Sequence, residues 1–202
     1  MSTGSPTRTR TLHRLWVPTI LIVASGALQL GQPITNTWLR YHRLHIWDGE
    51  VWRLFSAHLV HLSWSHYAMN CVGMLIVYGL YWRWLTANTA LMWCLSSASA
   101  VALGLLFFSP QIAWYVGLSG VLHGLIVAGA VTDIHARRWE GAWVLGIVAA
   151  KLVWETLYGP LPGSEGGAGG PIVVEAHLYG AMGGLVVSMA QIFLSRNSRT
   201  GA

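Results

Sequence analysis

Charge is absent from four long stretches of this 202-residue chain: between Arg14 and Arg40, Arg53 and Arg83, Arg83 and Asp133, and Glu175 and Arg196. A helix needs about 20 residues to cross the hydrocarbon of a bilayer. Within that hydrocarbon only helices and closed barrels satisfy their own backbone groups. The pattern therefore predicts an all-α integral membrane protein. Residues 84–132 are too many for one helix, and Ser109-Pro110-Gln111 is the natural break. A further apolar run, 141–158, is interrupted only by Lys151 and Glu155. The result is a bundle of six crossings, near 15–31, 65–84, 88–108, 118–135, 141–158 and 176–195. Charged sequence follows the first, with no persuasive small-residue cleavage site, so it reads as an anchor rather than a signal peptide.

Composition agrees, with 9% charged and 54% hydrophobic residues. No stretch is polar and long enough for a separate soluble domain, so residues 15–195 read as one membrane domain. A basic segment, 1–14, precedes it, and a tail, 196–202, follows. The net charge of +5 lies in short arginine clusters at segment ends, which are topology signals and not a nucleic-acid surface. Arg8, Arg10, Arg14, Arg83, Arg137, Arg138, Arg196 and Arg199 fall on one side. By the positive-inside rule that side, with both termini, is cytoplasmic. Cys71 and Cys94 lie inside apolar segments and read as buried thiols without a disulfide.

Residues 32–64 are too apolar for a free loop; they predict short helices lying in the outer interface. Residues 159–171 hold six Gly and three Pro, which predicts a mobile loop that holds no helix.

Ser119 and His177 open the fourth and sixth crossings. A buried polar pair is costly in a bilayer and marks a functional site, and serine beside histidine is the nucleophile and base of acyl transfer. Ser119 stands fourteen residues from Asp133, about 21 Å along a helix, and Asn70 thirteen from Arg83, about 20 Å. His177 lies higher, so all three fall in the outer half of the membrane. Ser119 heads a helix, where free N–H groups favour a developing oxyanion. Behind it Gly120, Gly124 and Ala128 form a small-residue stripe, and Gly180, Gly184 and Ser188 form another behind His177. Such stripes let helices approach closely. His66 and Asn70, four apart, share a helix face and can donate to the same oxyanion.

Lys151 and Glu155, also four apart, read as a mutually neutralising pair rather than as catalytic groups. His13, His42, His45, His58 and His135 read as solvated. The nine histidines raise a second hypothesis, a membrane metal or haem protein built on His58, His61, His66 and His177. No carboxylate or cysteine is seen to join that set, and Gly117-Leu118-Ser119-Gly120 would go unexplained.

These residues carry a family resemblance. His61, His66 and Asn70, then Gly117-x-Ser119-Gly120, then His177-x-x-Gly180, with Trp52-Arg53 ahead, resemble the rhomboid intramembrane serine proteases from about residue 50 to 190. The resemblance implies Ser119 as nucleophile, His177 as general base in a dyad with no acid, and no cofactor or metal. It puts His66, Asn70 and the Ser119 backbone N–H in the oxyanion hole, with His61 and His123 in support. Gly117, Gly120, Gly124, Gly180 and Gly184 pack the site. Glu175 could orient His177 but reads as a solvated loop acid. Where many bacterial rhomboids stack a tyrosine on the histidine, this chain has His123, similar to the rhombosortase branch. That would imply a bacterial inner-membrane enzyme opening to the periplasm. Its substrates would be exported proteins anchored by a C-terminal Gly-Gly-containing transmembrane tail. Loop 159–171 and the fifth helix are then expected to move aside for substrate.

Overall fold

The computed structural model describes residues 6–200, with side chains from 14 to 197; the side chains of Arg8, Arg10, His13 and Arg199 lie outside the described residues. Six long helices run through it: α1 (Pro6–Leu30), α5 (Trp64–Tyr81), α6 (Ala87–Phe108), α7 (Ser119–His135), α8 (Glu140–Tyr158) and α10 (Val174–Thr200). Between α1 and α5 lie α2 (Ile34–Leu39), β1 (Tyr41–His42), α3 (Arg43–Trp47) and α4 (Arg53–Ser56). Strand β2 (Trp114–Tyr115) precedes α7, and α9 (Ser164–Ala168) precedes α10. Ser63 and Thr86 cap α5 and α6, each accepting from the backbone N–H three residues on. Gly159, at φ 83°, ends α8.

Among the described residues, three helices are long and apolar enough to cross a membrane: α6, α8 and residues 174–197 of α10. The apolar part of α1, Arg14–Leu30, is shorter, α7 has 17 residues, and α5 carries His66 and Asn70 in its first half.

The bundle is built around α7. Eleven of its seventeen residues are buried, flanked by α10, α8, α6 and α5. The two small-residue stripes meet face to face. A Cβ on Gly180 would overlap the Gly120 carbonyl, one on Gly184 the Gly124 carbonyl, and one on Gly124 would lie 2.5 Å from the Gly180 carbonyl. Lipid gives no hydrophobic drive between helices, so this close van der Waals fit is what joins them. Helix α8 is different: of its nineteen residues only Gly141, Val148 and Glu155, seven apart, are buried.

The segment from α2 to α4 forms the short helices expected, but also a pairing that the sequence did not suggest. Strand β1 runs antiparallel to β2, with Tyr41 opposite Tyr115 and His42 opposite Trp114. Arg43 donates to the carbonyls of Leu105 (2.5 Å), Leu106 (2.9 Å) and Ser109 (2.7 Å), placing a cation on the C-terminus of α6. Buried Arg53 holds Glu50 (2.5 Å) and the carbonyls of Thr37 and Arg40 (both 3.0 Å). At the opposite end of the bundle, Asp133 takes Arg83 (3.0 Å) and the Trp84 indole (2.7 Å).

Residues 159–171 correct one expectation, because they do hold a helix. A single turn, α9, is bracketed by left-handed Gly163 and Gly169, and Ser63 Oγ donates to the Ala168 carbonyl at 2.7 Å. The glycines that disfavour a long helix supply the positive φ that a one-turn helix needs at its ends.

Candidate active site

Ser119 is delivered by a tight approach. Gly117 has φ 120°, its N–H donates to the Ala57 carbonyl (2.9 Å), and its carbonyl accepts from the Tyr115 hydroxyl (2.5 Å). A Cβ there would lie 2.8 Å from the His66 ring, so glycine is required for backbone and space alike. Two residues later α7 begins at Ser119, whose backbone N–H is among those free at a helix start.

His177 lies in the first turn of α10, with Nε2 3.0 Å from Ser119 Oγ. The glycine stripes set that separation, since any larger residue would push α10 away from α7. His123, one turn after Ser119, stacks on the His177 ring at 4.2 Å and 19°. Its Nδ1 bonds the Ser119 carbonyl at 2.8 Å. The face on which the resemblance expected tyrosine is thus covered by an imidazole.

Ser119, His123 and His177 line a cavity of about 320 Å³ together with His66, Asn70, Lys151 and Glu155. Met69, Gly73, Leu122 and Ile126 form apolar wall, and Leu161, Ala168 and Ile172 from the glycine-rich segment contribute to the lining. Asn70 returns one amide N–H to the His66 carbonyl at 3.2 Å, and an amide has a second to give. His61 supports His66 edge-on at 5.1 Å.

Glu155 lies against His177, where the sequence reading had placed no acid. Its Oε2 lies 2.9 Å from His177 Nδ1, while its Oε1 takes Lys151 Nζ at 2.6 Å. The neutralising pair exists, but its carboxylate also belongs to the site. Glu175, read as a solvated loop acid, accepts from Gln111 at the surface. The only advance signal for Glu155 was a carboxylate inside an apolar run.

The histidine readings divide as well. His42, His45 and His135 are partly or fully exposed, but His58 is buried, against Tyr115 (5.8 Å), and its solvated assignment is corrected. Among the described residues His58, His61, His66 and His177 do not gather as ligands. The group of three that does is His123, Glu155 and His177, which shares only His177 with that set. Their geometry opposes a shared ion. Ring lone pairs lie in the ring planes, and an ion held between two nearly parallel stacked rings would lie in neither plane.

Both cysteines are free. No curated protein matches the chain. Residues 48–193, most of it, match the family model described as Rhomboid domain.

Proposed function

The chain belongs to the rhomboid family of intramembrane serine proteases, and we propose that it cleaves membrane-anchored proteins through Ser119 and His177. The observation that carries this reading is the 3.0 Å approach of Ser119 Oγ to His177 Nε2 inside a cavity edged by amide and imidazole donors. His177 takes the Ser119 proton as the oxygen attacks the scissile carbonyl. The oxyanion is received by the Ser119 backbone N–H, Asn70 and His66. The proton passes to the leaving amine, and water then releases the acyl-enzyme.

All six long helices are read as crossings, with residues 15–195 as the membrane domain and both termini cytoplasmic. The cavity then opens toward the periplasm of a bacterial inner membrane. His123 in place of tyrosine favours a rhombosortase-like role on exported proteins with a Gly-Gly-containing C-terminal transmembrane tail, over a general rhomboid acting on other spans. Substrate reaches the cavity laterally, past α8 and α9.

The test is co-expression with tailed proteins and mass analysis of their C-termini. Wild type is expected to shorten them; Ser119→Ala and His177→Ala should not, while remaining folded in the membrane. Asn70→Ala should retain activity reduced by about 10²–10³-fold, as for one lost oxyanion donor. Turnover by purified Ser119→Ala would end the nucleophile assignment. Cleavage of spans without the tail, at equal rates, would end the branch assignment.

A further inference from the structure

We propose that Glu155 completes a Ser119–His177–Glu155 triad, as a positioning residue that orients the base, with Lys151 as its counter-ion. The inference rests on the Ser119–His177 reading and extends it beyond the dyad that the resemblance implies.

The two nitrogens of His177 are engaged on opposite sides, Nε2 with Ser119 Oγ (3.0 Å) and Nδ1 with Glu155 Oε2 (2.9 Å). A carboxylate only accepts, so Nδ1 must carry the ring hydrogen, and the Nε2 lone pair then faces the serine. That is the tautomer a general base needs. Lys151 Nζ lies 3.4 Å from the same Nδ1, but an ammonium only donates and cannot fix this tautomer. Its role runs through Glu155 Oε1, at 2.6 Å. A buried carboxylate in an apolar bundle needs such a partner to remain ionised.

A pair serving only to neutralise itself could face lipid interface or bulk water. Glu155 is instead one of three buried residues on α8, and the 4% exposure of its side chain contrasts with 28% for Lys151. His177 is also held from α7, by the His123 stack and Ser119. In the acylation step the Ser119 O–H bond breaks, the oxygen–carbon bond forms, and the proton moves to Nε2. His177 is then a cation between Glu155 and the tetrahedral intermediate. The proton leaves with the amine, and Glu155 takes up none.

The experiment measures fluorophosphonate labelling of Ser119, and substrate cleavage, by the full-length protein in wild-type, Glu155→Gln and Lys151→Met/Glu155→Gln forms. Glu155→Gln should label at least 10²-fold more slowly, toward the roughly 10⁴-fold loss that the matching amide causes in soluble triads, with KM little changed. The double variant holds no unpaired charge. It should stay as slow as Glu155→Gln; recovery to the wild-type rate would mean that Glu155 only neutralises Lys151, and would overturn the triad. An unlabelled wild type would instead remove the nucleophile reading, and this one with it. Proton NMR of the wild type gives a second readout that no variant's folding can obscure. A strongly deshielded Nδ1–H signal is expected, retained in Ser119→Ala, and its absence from wild type overturns the proposal.

Discussion

Helices α7 and α8 are neighbours in sequence and contribute to one cavity, yet they are held by opposite means. Helix α7 buries eleven of seventeen residues and meets α10 through glycines with backbone nearly on backbone. Helix α8 buries three of nineteen, one every seven residues. Ser119 stands on the first, and Lys151 with Glu155 on the second. The difference teaches that the serine–histidine separation is set by packing that tolerates no added atom. The acid behind the histidine is held by a narrow seam and a few polar contacts.

The contrast is most severely tested at the stripe. Gly180→Leu should prevent α10 from docking, so that folded protein is lost and no labelling of Ser119 remains. A folded, active variant would show that the contact is not limiting. A smaller effect is expected at Leu125, fully buried on α7. Leu125→Ala should cost about 2 kcal/mol, the low end for such a truncation, because lipid solvates the freed surface and only packing is lost. Reversible unfolding in mixed micelles measures it, and a cost below that of the α8 variant described next would invert the comparison. Val148→Ala, at the centre of the α8 seam, should cost only about 1 kcal/mol. Smallest is Gly146→Ala, where a Cβ meets nothing within 4 Å. A gain of about 0.5–1 kcal/mol is expected there from helix propensity, with cleavage unchanged; a loss would reveal packing on the outer face of α8.

Acid sharpens the same contrast. Burial lowers His58 to about 4. Burial, aided by neighbouring His66, lowers His61 to about 3. Unfolded, both titrate near 6.5, so between these values the unfolded chain binds more protons than the folded one. Their contribution is full above about 6.5 and declines as pH falls toward 4 for His58 and toward 3 for His61. His61→Gln should flatten the loss of thermal stability across that window, and an unchanged slope would show that His61 does not contribute.

Much of this was legible beforehand because it is periodic or local. The apolar stretches placed α5, α6, α7 and α8 within a few residues of their observed bounds, whereas α1 begins well before the expected 15, at Pro6, and α10 runs on past 195 to Thr200. The four-residue stripes foretold the α7–α10 contact, and Ser119 and His177 fall at the corresponding ends of those stripes. What was missed is pairing between distant segments. Nothing near Tyr41 announces Tyr115, and a two-residue strand is too short to leave a pattern. His58 looked solvated because its neighbours in sequence suggest an interface, whereas the chain tucks it under Tyr115. Glu155 was assigned to Lys151, which is correct for one oxygen; a carboxylate has two, and the second meets a helix 22 residues further on. The glycine-rich segment was read from its average composition, while α9 depends on two particular glycines at its ends.

The i, i+4 placement of Lys151 and Glu155 has a mechanical consequence. Both charges ride on one helix, so an outward swing of α8 carries cation and anion together as a neutral couple. No bare ion is left behind or dragged into lipid, where it would resist the movement by several kcal/mol. The swing must break the contacts that Glu155 and Lys151 make with His177 Nδ1. In the proposed triad, a parted α8 would leave the base without its acid, and chemistry would wait until the helix returned.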